Sequence, residues 1–244
     1  MLFRSRSDQG PGSALEIDIV CHSRGGLVAR ELIEKLKHPV KIRRVVMVGV
    51  PNAGTSLADP SNWGMMADML INQVSQDPTG LLGRLSSFLF YLLAQGIEQQ
   101  VPGLQAMRPL SESNRSELNP FLSELQKPDA KSGSEYFVVA SNYVPDRNTL
   151  SLQTILQEVG DEALDRFFAT PNDLVVETAS MWAMDSKSSW SERIKSLPPE
   201  HILLFNTMRG GPENLKPELQ SGIHHTNYFL NRTVRDFIRN VLEA

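Results

Sequence analysis

Residues 18–30 read Asp-Ile-Val-Cys-His-Ser-Arg-Gly-Gly-Leu-Val-Ala-Arg, and the fold hangs on them. An apolar β-type run, Ile17 to Val20, enters a tight turn around Ser23. A helix-compatible run, Leu27 to Leu36, follows at once. A turn of this kind packs the start of the helix hard against the end of the strand, so the serine needs small neighbours. Gly25 and Gly26 supply them on one side, and Cys21, itself small, stands on the other.

Outward from this segment, Arg44 to Val50 (Arg-Val-Val-Met-Val-Gly-Val) is a second continuous apolar run, as in a parallel strand covered on both faces. Pro51 to Ser56 reads as a turn. Tyr136 to Ala140 and His201 to Phe205 are predicted as third and fourth strands. Helical spacing predicts a helix over Leu27 to Lys37, with Leu27, Val28, Ala29, Leu32, Ile33 and Leu36 on its apolar face. A second amphipathic helix is expected over Thr226 to Leu242, with Phe229, Leu230, Val234, Phe237, Ile238 and Val241 along one side. Short helices are expected at Leu150 to Gln157 and Asp161 to Phe168. Residues 60–127 lack a strong strand signal and are broken at Pro78, Gly83, Gly96, Pro102 and Pro109, so they read as a helical insertion. Residues 4–13 are polar and rich in Gly, Pro and Ser, the composition of a loop. Strands alternating with helices predict one α/β domain over residues 1–244, with a mainly parallel sheet.

Composition narrows the classes. A chain of 244 residues can bury a full core as one domain. The formal net charge of −4 argues against a nucleic-acid surface. One cysteine, Cys21, cannot form an internal disulfide. Met1 to Gly12 has no apolar stretch of the secretory kind, and a cytoplasmic setting is expected. The greasiest segment, Leu81 to Ala94, is interrupted by Gly83, Arg84, Ser86 and Ser87 and is too short to span a bilayer. No spacing of His, Cys, Asp or Glu suggests a metal site, and no glycine pattern suggests a phosphate loop, so no cofactor is expected.

A serine hydroxyl becomes a nucleophile only when a base takes its proton and a carboxylate orients that base. Ser23 is the candidate nucleophile. Asp173, in Thr170-Pro-Asn-Asp-Leu-Val-Val176, is the candidate acid, with Asp146 and Asp165 as rivals. The candidate base is His225, with its neighbour His224 as the alternative, because adjacent residues cannot both face one serine. His22 reads as a packing residue, and His38 and His201 as ordinary surface and strand-start residues. Cys21 ends a strand and is expected to point into the core, which removes it as a nucleophile.

These segments resemble the α/β-hydrolase superfamily, in particular its lipase- and esterase-like members, from the nucleophile strand onward. Val20 to Arg30 is similar to the family's nucleophile elbow, with Cys21 where its pattern usually has glycine. Val48 to Thr55 is similar to the next strand and turn, and Gly103 to Ser111 with Leu118-Asn119 to the end of a helical cap. Asn172 to Val176 is similar to the acid loop, and His225 to Phe229 to the histidine segment. The resemblance implies the chain order serine, acid, histidine, met here by Ser23, Asp173 and His225. It implies that the backbone N–H of Arg24 donates to an oxyanion, and that 60–127 is a cap or lid. It implies a serine hydrolase acting on carboxylic esters, lipid-like ones included, through an acyl-enzyme; a transacylase would look the same.

The family's nucleophile strand is normally fifth of eight, and the resemblance therefore implies a partial fold here, with the N-terminal strands missing. Only one strand is expected before Ser23, and its outer edge would stand unpaired and invite pairing with a missing N-terminal region or another chain. The loop that usually supplies a second oxyanion donor would be missing too. The alternative reading is therefore a truncated, weak or inactive hydrolase-like module that works by association with another domain.

Overall fold

Val45, Val46, Met47 and Val48 form a run of four side chains with no solvent exposure. Only a central strand covered on both faces buries consecutive residues in this way. The computed structural model describes residues 2–6, 15–36, 40–59, 62, 102–109, 119–127, 133–144, 170–184, 197–206 and 215–244. The expectations placed on His38, Leu81 to Ala94, Asp146, Leu150 to Gln157, Asp161 to Phe168 and most of the 60–127 insertion lie outside them.

In chain order the elements are β1 (Leu2–Arg6), β2 (Glu16–His22), α1 (Arg24–Glu34), β3 (Lys41–Val48), α2 (Pro102–Gln105), α3 (Pro120–Leu125), β4 (Glu135–Ser141), α4 (Thr178–Met181), β5 (Ile202–Phe205) and α5 (Arg232–Glu243). The strands make one sheet in the order β1-β2-β3-β4-β5. β2 to β5 run parallel, and β1 lies antiparallel on β2, with Leu2 opposite Val20 and Arg6 opposite Glu16. The chain thus has an α/β fold with a mainly parallel sheet.

β1 corrects two expectations. Residues 4–6, read as loop, belong to a strand. β2 consequently has a partner on both sides and presents no open edge. Arg4-Ser5-Arg6 shows no apolar alternation, so nothing local announces a strand. The main-chain ladder to β2 makes it one.

Side chains alternate across the sheet, as the pleat requires. Ile19, Cys21, Met47 and Ala140 face a layer formed by α1, α3 and the segment around Trp182. Val20, Val46, Val48 and Val139 face α5 and Tyr228. Each such aliphatic side chain contributes about 1.5–3 kcal/mol by leaving water.

α1 begins at Arg24 and ends at Glu34, short of Lys37. Leu27 and Ala29 are buried, but Val28 and Leu36, expected on the same face, are 54% and 56% exposed. The inward position one turn beyond Gly26 belongs to Arg30 instead, which is buried. Its guanidinium pairs with Glu34 at 2.8 Å and donates to Asn52 Oδ1 at 3.1 Å, the Leu125 carbonyl at 2.7 Å and the Met184 carbonyl at 2.8 Å. One cation thereby ties α1 to the turn after β3, to α3 and to the chain after α4. α5 is also shorter than expected: Asn231 caps it by accepting from Val234 N at 3.1 Å. Phe229 and Leu230 precede that cap and are exposed, while Val234 and Val241 face the sheet. No helix among the described residues is long and apolar enough to cross a membrane.

Candidate active site

The parallel strands all end on one side of the sheet, where ligands of open α/β sheets bind. Ser23 lies between β2 and α1 with φ 53° and ψ −138°, a region that non-glycine residues rarely occupy. Its N–H donates to the Val48 carbonyl at 3.0 Å, and its carbonyl accepts from Gly26 N at 2.9 Å. The turn is therefore pinned on both sides while the hydroxyl caps nothing. The N–H groups of Arg24 and Gly25, in the first turn of α1, have no intrahelical acceptor. The two glycines differ. A Cβ on Gly26 would collide with Val50, whereas one on Gly25 would meet nothing within 4 Å. Only Gly26 provides the close helix–strand approach expected of both.

Asp173 is fully buried. Its loop is held by Asn172 Oδ1, which accepts from Leu174 N at 2.8 Å, and it includes a second positive-φ residue, Leu174 at 76°. Oδ1 of Asp173 accepts from Val175 N at 3.1 Å and Val176 N at 2.8 Å. Oδ2 accepts from His225 at 2.8 Å and from the Tyr228 hydroxyl at 2.9 Å. Four donors on one carboxylate are the surroundings of an acceptor-only, ionised group. The loop is tied to the strand ends by Thr178 Oγ1, which donates to the Ser141 carbonyl at 2.7 Å.

His225 is set by its backbone as well as its ring. Its N–H donates to the Asp173 carbonyl at 3.0 Å, and ring Nδ1–H donates to Asp173 Oδ2. Nε2 is buried and has no hydrogen-bond partner. Because the carboxylate accepts a hydrogen bond from Nδ1–H, the free lone pair sits on Nε2. His224 points elsewhere: its Nδ1 faces Thr226 Oγ1 at 3.1 Å, and its ring lies edge-on to Tyr143. Gly49, at φ 55°, lies flush under the pair. A Cβ there would stand 2.9 Å from the Tyr228 ring, 3.1 Å from Asp173 Oδ2 and 3.2 Å from His225 Nδ1.

His22, next to Ser23, has its ring 4.6 Å from the ring of His225 and donates from Nε2 to the His225 carbonyl at 2.8 Å. Burial, and then the nearness of the His225 ring, lowers its pKa to about 4, so the ring is neutral near pH 7. Cys21 is buried, its thiol donates to the Val46 carbonyl, and burial pushes its pKa up to about 12. A thiolate nucleophile is not available there. His201 bonds through Nδ1 to the Tyr136 carbonyl at 3.1 Å and stacks on Phe137, a structural role. The fully buried Tyr228 has its hydroxyl pKa raised by burial and by Asp173, so it serves as a permanent donor. Neither its bond to Asp173 nor the need for glycine at 49 is among the sequence-based expectations. The spacing of three between His225 and Tyr228 was the available signal for the first.

Ser23 shares a small apolar cavity of about 20 Å³ with Pro51, Leu57, Leu104, Met107 and the acid-loop residues Val175 and Val176. That volume holds about one water. Asp146 and Asp165, the rival acids, lie outside the described residues.

Residues 4–243 match the family described as a domain of unknown function, DUF7379. The chain belongs to the DUF7379 family. No curated protein matches this DUF7379 chain. Among solved structures, it is similar to the lipase BlEst2 of Bacillus licheniformis in its mature form, with 17% identity, 71% of this chain and 56% of that one covered, and a TM-score of 0.36. The propeptide form of the same lipase gives 19% identity, 71% and 31% coverage and a TM-score of 0.37. Phospholipase PlaB of Legionella pneumophila gives 14% identity, 91% and 42% coverage and a TM-score of 0.40. The DUF7379 chain thus spans 56%, 31% and 42% of the lengths of these proteins, and likenesses this distant assign it no activity.

Proposed function

We propose that this chain is a serine hydrolase of carboxylic esters, with Ser23 as nucleophile, His225 as base and Asp173 as the group that orients the base. The observation that carries the reading is the buried Asp173–His225 hydrogen bond, which leaves the His225 Nε2 lone pair without a hydrogen-bond partner. Ser23, on a strained turn with an uncommitted hydroxyl, supplies the nucleophile that such a base needs. As the Ser23 Oγ–carbon bond forms, the Oγ proton passes to His225 Nε2 and the carbonyl π pair moves onto oxygen. The Arg24 N–H, free of any intrahelical acceptor, donates to that oxyanion. Collapse breaks the bond to the leaving alkoxide, which takes the proton from Nε2. Water then repeats the sequence on the acyl-enzyme. Asp173 stays ionised and holds the imidazole tautomer throughout.

The test is covalent labelling with a fluorophosphonate probe, on the wild-type chain and on Ser23→Ala. One adduct per chain, located on Ser23 by peptide mass and lost in the variant, is expected. A folded wild-type protein that takes no label, or takes it elsewhere, overturns the assignment.

A further inference from the structure

Behind the wall of the Ser23 cavity lies a larger one. Segment 102–109 turns Leu104 and Met107 toward Ser23 and lines, on its other side, a groove of about 610 Å³ against α1 and α3. Leu27, Val28, Pro102 and Phe121 give this groove apolar walls, and Arg24 and Arg108 are its only charged lining residues among those described. Among the described residues neither guanidinium has a hydrogen-bond or ion-pair partner, and Nε of Arg108 is buried without a partner. Arg24 lies against the backbone of Gly103, where any side chain would collide with the guanidinium. Two arginines that line one groove with no acid among its described lining residues leave donors unused. An oxyanion engages them, because the guanidinium fork matches carboxylate and phosphate oxygens.

We propose that this groove is an anion subsite, so that the ester acted on at Ser23 carries a phosphate or carboxylate group. The inference rests on the hydrolase reading for its substrate class. Arg24 directly follows Ser23 in the chain, so the groove it lines lies beside the turn that carries Ser23. A spacer between the two has to pass the Leu104 and Met107 side chains, which stand between groove and cavity.

The experiment compares kcat/KM for matched esters. The 4-nitrophenyl ester of butyrate is set against the 4-nitrophenyl hemi-ester of glutarate, and an acyl ester of glycerol against the same ester of glycerol 3-phosphate. The anionic member of at least one pair is expected to be favoured roughly ten- to hundredfold, the scale of a charge-assisted hydrogen bond. The pair that responds tells carboxylate from phosphate. The preference should shrink with added salt and collapse toward one in Arg108→Gln while Arg108→Lys retains part of it. If Arg108→Gln does not fold, the wild-type preference and its salt dependence decide. Binding of inorganic phosphate to Ser23→Ala, read by calorimetry, separates the two claims. Phosphate binding without any ester hydrolysis sinks the hydrolase reading and keeps the subsite. Hydrolysis of neutral esters, with neither a charge preference nor phosphate binding, overturns the subsite alone.

Discussion

Asp173 accepts four hydrogen bonds and is sealed from solvent, whereas the Ser23 hydroxyl, at the end of the same sheet, caps nothing on the helix that follows it. In the proposed acid–base half, Asp173 is satisfied by Tyr228, His225 and the loop's own N–H groups, Gly49 lies flush beneath, and His225 Nε2 is left without a partner. The proposed nucleophile half is left unsatisfied: a strained φ, two N–H groups without intrahelical acceptors, and two arginines beyond them without counter-ions among the described residues. Polar groups buried against protein lose free energy unless paired, so the buried carboxylate of Asp173 must have its donors before any ligand arrives. The nucleophile half borders cavities, and its open donors are what a ligand would complete.

The sharpest way to break this contrast is Asp173→Asn. The amide still accepts through Oδ1, but it offers an N–H where His225 needs an acceptor, so the imidazole takes the wrong tautomer. Turnover on a reference ester is expected to fall about 10⁴-fold, with a smaller loss of stability. Retention of more than about a tenth of the wild-type kcat would mean that Asp173 is not the orienting group.

A second test lies at the boundary between the halves. His22 titrates near pH 4 in the folded chain against 6.5 as its ordinary value. Between those two values the unfolded chain binds a proton that the folded one refuses. Stability therefore falls as pH drops from 6.5 to 4 and levels off below, by roughly 3 kcal/mol at most. His22→Asn should flatten that part of the curve in urea titrations run across the window. An unchanged slope would show that His22 is not buried against His225 as described.

The smallest effects sharpen the packing side of the comparison. Gly26→Ala drives a methyl into Val50 and should cost about 1–3 kcal/mol. Gly25→Ala meets open space one residue away and should change stability by no more than about 1 kcal/mol, in the stabilising direction. Equal melting temperatures for the two variants would contradict the tight contact between α1 and the end of β3.

Much of the fold was legible because it is local. Val45 to Val48 and Phe137 to Ala140 are runs that only a doubly covered strand tolerates, and both are buried strands. Helix limits were less legible. Val28 and Leu36 sit at helical spacing yet face solvent, because the inward place is taken by Arg30, a cation whose partners lie on three other segments. Asn231, the cap of α5, could have been read as its start.

By itself, then, the sequence determined the parallel strands, the turn at Ser23 and the order of candidate residues, since these depend on side-chain periodicity and backbone preference over a few neighbours. The tertiary structure alone decided that β1 covers β2, that His225 rather than His224 meets Asp173, and that Arg24 and Arg108 share one groove. Those outcomes join residues far apart in the chain through hydrogen bonds and burial, and no local pattern encodes a partner at that separation.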